Sequence, residues 1–236
     1  KSFDTRKAIE AAGPVIGRDT AVMSLQNGLG HEEVLGEVVG RQRLVAGRTY
    51  VGGQILTPGT VLAGTRGKQT IIGEFDGRIT DRVRAVADEF NRAGLATAVS
   101  ENIMGTIWDK LLVNVATGAL SGITGLTYGE LYQIPEIETC AVAAVAEAMA
   151  VAAACGIKLS MTDAREPWIK AGAGLPPEFK ASMLQSLEKG SVTEIDYVNG
   201  SVVRWGMKVG VPTPVNQALV ACVKGVERAR LQKGFA

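Results

Sequence analysis

Up to Ser100 the chain is a series of short apolar runs broken by glycine, proline and polar turns, and beyond it the pattern changes to long helical periods. Thr5–Ala12 has a helical pattern, and Ala21–Leu25 is a short apolar run stopped by Gln26-Asn27-Gly28, which suits a buried strand entering a turn. Glu32–Val39 fits a helix. Leu44–Val51, Val61–Ala63 and Thr70–Phe75 are β-branched runs punctuated by Gly-Gly, Pro-Gly and Asp-Gly, and they read as strands. Asp81–Ala93 is an amphipathic helix ending at Gly94, followed by a last strand at Ala96–Val99. From there Ser100 is expected to cap a helix running through Ile107, Leu111 and Val115. Glu136–Cys155 is expected as an Ala-rich helix ending at Gly156, Thr193–Lys208 as another ending at Gly210, and Thr213-Pro214 as the start of a fourth. No strand is expected after residue 101. The reading is an α/β segment followed by an all-α segment, with the boundary near residues 100–103.

Composition narrows the class. The 236 residues suit two domains of the usual size, roughly 100–200 residues each. The net charge is +1, from 25 basic and 24 acidic residues, which gives no electrostatic case for nucleic acid or a membrane surface. Cys140, Cys155 and Cys222 lack metal-type spacing and are odd in number, so they are expected as small buried residues in a reducing cytoplasm. Residues 111–129 carry no charge, but Asn114, Thr117, Ser121 and several glycines make a membrane span a poor fit. The run from Cys140 to Cys155 is short and holds Glu147. Both are expected as buried helices of a soluble protein. Trp108, Trp168 and Trp205 are expected to pack, and His31, the single histidine, to sit in a surface loop or else to make a weak cofactor-side contact.

Three places carry candidate chemistry. Ile103, Ile107, Lys110, Asn114, Gly118 and Ser121 share one helix face, so a lysine and an asparagine one turn apart can reach the same small ligand, with Gly118 leaving the face open. The plainer alternative is that Lys110 snorkels to solvent and pairs with Asp109 or Glu101. Thr193-Glu194-Ile195-Asp196-Tyr197-Val198-Asn199-Gly200 puts Glu194 in a first helical turn, where an acid is favoured; capping by Thr193 or a solvated face explains the same pattern. Gln26-Asn27-Gly28-Leu29-Gly30 is a strand end feeding a turn, where ligands of open α/β sheets gather, and it is equally an ordinary turn.

Four segments occur together in the order and spacing of one family: SLQNGLG at 24–30, WDKLLVN at 108–114, SMLQSLEKGSVTEIDYVNG at 182–200 and GVPTPVN at 210–216. In these the chain resembles the ketopantoate reductases over essentially its whole length. The resemblance implies a partial Rossmann-like α/β domain, with residues 1–101 forming the C-terminal part of an NADP-binding domain. Residues 102–236 would be a helical substrate and catalytic domain similar to those of 6-phosphogluconate dehydrogenases. Lys110 resembles the catalytic lysine, a proton donor to the substrate carbonyl. Asn27 resembles the asparagine between cofactor and substrate, Asn114 and Ser182 match substrate-binding positions, and Glu194 matches a cofactor-contacting glutamate. Lys1 falls where the family has a cofactor-contacting lysine, and Gly53 is matched to another cofactor contact across a loop of different length.

The implied activity is NADPH-dependent reduction of 2-dehydropantoate to pantoate in pantothenate and coenzyme A biosynthesis. The implied site is a cleft between the domains of a cytoplasmic enzyme, a homodimer in the manner of the family. Its partner is a small 2-oxo acid, with no nucleic acid, membrane or metal. Departures from the family pattern leave alternatives. No G-x-G-x-x-G turn precedes a helix, so a fragment with impaired cofactor binding, or a non-catalytic remnant, is one reading. Gly118 and Tyr128 stand where relatives carry substrate asparagines, so a reductase of another 2-oxo acid is a second.

Overall fold

The structure, a computed structural model, describes residues 1–64 and 67–233. The chain divides into two compact units, Lys1–Ile107 and Trp108–Ala236.

In the first unit β1 (Val22–Ser24), β2 (Leu44–Thr49), β5 (Thr70–Gly73) and β6 (Thr97–Val99) form one sheet in the order β1-β2-β5-β6. The β1–β2 and β5–β6 pairs are parallel and β2–β5 is antiparallel. β2 is buried along nearly its whole length, so its apolar run is continuous rather than alternating. Val45 and Ile72 pack with Val83 and Ala87 of α3 (Asp81–Arg92). Leu44 packs with Ile9 of α1 (Thr5–Ala11) and Leu35 of α2 (His31–Val39). Gly47 has no room for a side chain: a Cβ there would lie 2.6 Å from the Met23 sulfur and 2.8 Å from Leu25 Cδ2. A separate hairpin, β3 (Gly52–Thr57) with β4 (Thr60–Gly64), was half legible. The Gly-Gly pair read as punctuation is the start of β3.

Glu74, at the end of β5, is held by a fork: Arg82 Nε donates to one carboxylate oxygen and Nη2 to the other, each at 2.6 Å. Thr80, the N-cap of α3, adds a third bond at 2.6 Å. The Arg82 hydrogen bonds hold the Glu74 carboxyl below the usual glutamate range.

The second unit is helical, with no strand among its described residues. α4 (Ile103–Thr124) begins in the first unit and continues into the second. Its cap differs from the expectation: Asn102 Oδ1 accepts from the Gly105 N–H, while Ser100 Oγ accepts from the Asn102 N–H. Ser100 therefore orders the approach and Asn102 caps. Three short helices were not foreseen: α5 (Tyr128–Leu131), α7 (Glu166–Gly172) and α8 (Ser182–Glu188). The long α6 (Pro135–Ala154) is the one described helix apolar and long enough to cross a membrane. Its stripe of Ala141, Ala144, Val145, Ala148, Val151 and Ala152 is buried in the unit. The helix expected over Thr193–Lys208 is interrupted: Ile195–Tyr197 form a 3-10 turn, Val198 breaks the path at φ −104°, ψ −99°, and α9 runs Asn199–Val209. α10 (Pro214–Lys233) follows.

The cysteines are less buried than expected. Cys140 and Cys155 are half-buried, Cys222 is exposed, and all three are free thiols. Trp108 and Trp168 are buried, whereas Trp205 is half-buried under the Lys208 ammonium, 4.5 Å from the ring centre.

Candidate functional site

In the first unit the candidate is the turn that ends β1. β1 pairs with β2 only as far as Ser24↔Ala46, and β2 continues to Thr49. The carbonyls beyond Ser24 thus lose their ladder partners, and Arg48 supplies them. Its Nη2 donates to the Gly28 carbonyl at 2.8 Å and its Nη1 to the Gln26 carbonyl. Between them, the Asn27 carbonyl accepts from His31 Nε2 at 2.7 Å. A carbonyl only accepts, so Nε2 is the donor in this bond. His31 is 0% exposed and Arg48 1%. The expectation of a surface histidine is corrected, because the ring turns back under its own turn toward Thr5 Oγ1, 3.5 Å from Nδ1. Burial draws the Arg48 pKa down, against the raising influence of Glu32 and Tyr50, and leaves it charged. Gly28 takes φ +86° and Gly30 φ +108°, so glycine is required at both bends. The Asn27 side chain is exposed on this fixed backbone.

Lys1 is exposed and lines a groove of about 340 Å³ together with Asp4, Thr5, Ser24 and Gln26 of the same unit. Gly53 lies on β3 opposite Ala63, exposed, on a hairpin separate from the main sheet.

In the second unit α4 presents Lys110 and Asn114, both half-buried and one turn apart, so both side chains can address one small anion. Asp109 is turned elsewhere, accepting from the Ser160 N–H at 3.1 and 3.2 Å. Gly118 does not leave this face open. A Cβ there would lie 3.6 Å from Met183 Cε, and one on Gly122 would lie 3.3 Å from Leu187 Cδ1. α8 lies on this glycine stretch, which places Ser182, exposed at its first residue, alongside the same face. Tyr128 is buried, with its hydroxyl 2.8 Å from Thr117 Oγ1 and its ring edge-on to Phe179 at 5.1 Å. Burial raises the Tyr128 pKa, so the hydroxyl stays protonated.

Glu194 is half-buried and stands immediately before the 3-10 turn rather than inside a helix. That turn is fastened to α10 at two points. The Thr193 N–H donates to Glu227 at 2.7 Å, and Lys224 pairs with Asp196 at 2.7 Å. Thr193 Oγ1 also accepts from the Ile195 N–H at 3.2 Å. At Gly200 a Cβ would lie 3.2 Å from the Ile195 carbonyl oxygen, a tight approach to backbone.

Lys110, Asn114, Ser182 and Glu194 thus belong to the second unit, and Lys1, Asn27 and Gly53 to the first. Arg48 and Met183 were missed as parts of the candidate site, and His31 was weighed only as a weak cofactor-side contact. A lone arginine inside the apolar run Leu44–Val51 was the available signal, since a buried charge requires partners.

The fold defines a nucleotide-type α/β unit coupled in sequence to a helical unit, and comparison with known proteins gives the family. Residues 102–227 match the family model described as ketopantoate reductase PanE/ApbA C terminal, and residues 1–77 match that of ketopantoate reductase PanE/ApbA. The 2-dehydropantoate 2-reductase of Pyrococcus horikoshii is 36% identical over 96% of this chain and 73% of its own length. That of Archaeoglobus fulgidus is 31% identical over 96% and 74%. Among solved structures, a PanE/ApbA family ketopantoate reductase from Ralstonia eutropha JMP134 superposes with a TM-score of 0.85 at 34% identity, covering 97% of this chain and 74% of that one. A D-mandelate dehydrogenase solved with NADH and anilino(oxo)acetate gives a TM-score of 0.87 at 28% identity, covering 98% and 75%. The chain belongs to the ketopantoate reductase family, and its sheet and helical unit are the family's fold.

Proposed function

We propose that the intact protein reduces 2-dehydropantoate to pantoate with NADPH. The observation that carries this reading is the placement of Lys110 and Asn114 one turn apart on a half-buried stretch of α4 in a chain of this family. Reduction of a ketone builds negative charge on the carbonyl oxygen, and a lysine ammonium both stabilises that charge and delivers the proton. Lys110 takes this role and is reprotonated from solvent. Asn114 and Ser182 hold the oxo and carboxylate oxygens without adding charge. A pinned turn at a strand's C-terminal end, with an exposed amide at Asn27, fits the nicotinamide side of a dinucleotide. Asn27, Lys1, Glu194 and Gly53 are the residues proposed to hold that cofactor, which supplies a hydride when bound. The working assembly is a cytoplasmic homodimer.

The test is steady-state turnover of ketopantoate by the intact protein with NADPH and with NADH. Efficient turnover that prefers NADPH supports the reading; an NADH preference corrects the cofactor, and absence of turnover removes the substrate assignment. A second reading, reduction of a different 2-oxo acid, is favoured by Gly118 and Met183 meeting on the α4 face and by the likeness to a D-mandelate dehydrogenase. Faster reduction of phenylglyoxylate than of ketopantoate would select it.

A further inference from the structure

Three consecutive backbone carbonyls, those of Gln26, Asn27 and Gly28, are each bonded by a buried donor, the guanidinium of Arg48 on β2 or the imidazole of His31 at the start of α2. An unpaired turn at a strand end would ordinarily leave such oxygens to water. Here one planar guanidinium bridges the first and third, and the imidazole takes the middle one. Fully burying an arginine is costly, and two carbonyls in the geometry of its fork help to offset that cost, together with the field of Glu32 and Tyr50. Of residues 26–30, Asn27 is the one that is exposed.

We propose that Arg48 and His31 are positioning residues that act through this backbone to fix where Asn27 presents its amide to the reacting pair. The proposal rests on the reading of Asn27 as a residue of the reduction site. Arg48 contributes from a strand whose neighbour has already ended, so its fork stands in for a missing ladder rung. Lysine cannot replace it, because a single ammonium on a flexible stem does not bridge two oxygens in a fixed plane. Glutamine can replace His31, because its side-chain amide N–H can donate to the same carbonyl.

The test is kinetics on the intact protein with R48K, H31F, H31Q, N27A and the double variants R48K/N27A and H31F/N27A. Displacing a reacting group by about 1 Å costs up to ~100-fold in rate, so R48K and H31F are each expected to lower kcat roughly tenfold, with a smaller change in substrate KM. H31Q should restore most of the rate lost in H31F. In the N27A background R48K and H31F should cost little more, because the amide they aim is already gone. If either loss is the same with and without Asn27, that residue supports the fold only and the proposal is overturned. If N27A is itself as active as wild type, the reading of Asn27 falls, and the proposal falls with it. R48K keeps the buried charge, and the H31F/H31Q pair decides the question should R48K fail to fold.

Discussion

Glu147 of α6 takes the first turn of α10 through Asn216: its carboxylate accepts from the Asn216 backbone N–H at 3.0 Å and from Asn216 Nδ2 at 2.7 Å. The Val215 N–H donates to the other carboxylate oxygen at 2.8 Å. Pro214 has no N–H, so these are the first backbone donors the helix has to satisfy. The Asn216 side chain also donates to the Ala144 carbonyl at 2.9 Å and accepts from Asn199 Nδ2 at 3.0 Å, which joins α6, α9 and α10 at one point. Glu147→Ala is expected to cost about 3 kcal/mol, since it strips a charged acceptor from several donors at once. Glu147→Gln should cost less. Guanidinium unfolding measures both, and a loss under about 1 kcal/mol for the alanine variant would mean that water replaces the carboxylate without penalty.

Lys110→Ala in the intact protein is expected to lower kcat by at least ~100-fold, the usual scale for a lost general acid or charge stabiliser. Saturating cofactor and a circular dichroism melt separate chemistry from folding. A loss below tenfold with an unchanged melt would leave Lys110 as a residue that merely snorkels at the edge of α4.

Gly118 and Gly122 should respond differently to alanine. At Gly118 the added methyl meets Met183 at an ordinary 3.6 Å, so the helix-propensity gain of up to about 1 kcal/mol should show as added stability. At Gly122 the 3.3 Å approach to Leu187 consumes that gain. Gly118→Asn has to displace Met183 and should cost about 1–3 kcal/mol. Denaturation midpoints of the three variants decide it. Equal stabilisation by both alanines would show that α8 yields freely.

The Glu74–Arg82 fork gives the first unit an acid-sensitive term. The folded-state pKa of Glu74 is depressed, so its stabilisation is complete above the unfolded glutamate pKa of about 4.3 and is lost as pH falls through the folded value. Arg82→Ala should destabilise by roughly 2 kcal/mol at pH 7, and the gap from wild type should close toward pH 3. Melting curves at both pH values test the sign; a constant gap would show that Arg82 acts through its bonds to the Gln42 and Leu44 carbonyls instead.

Elements with strong local signals were readable from the sequence. Amphipathic α3, the buried β2 run, the Ala-rich α6 and the glycine stops at Gly156 and Gly210 all depend on neighbours close in the chain. What escaped depends on residues far away. His31 looks like a loop residue until Thr5, 26 residues earlier, closes over the ring that the nearby Asn27 carbonyl holds. Gly118 looks open until Met183 arrives from α8. The helix expected from Thr193 onward breaks at Val198, where Glu227 and Lys224 of α10 bond Thr193 and Asp196 just before it. The Lys110–Asn114 spacing was legible because it needs only the period of one helix, whereas the Arg48 fork needs two strands of unequal length.

Main-chain oxygens are the same whatever side chain their residue carries, so the bonds from Arg48 and His31 are blind to the identity of residue 27. Exchanges at position 27 would therefore change what the turn offers without changing its path, and exchanges at 31 or 48 would change the path while leaving the offered group intact. For directed evolution of this family the two kinds of position are separable coordinates: a saturation library at 27 samples chemistries on one constant frame, and a library at 31 and 48 samples frames for one constant chemistry.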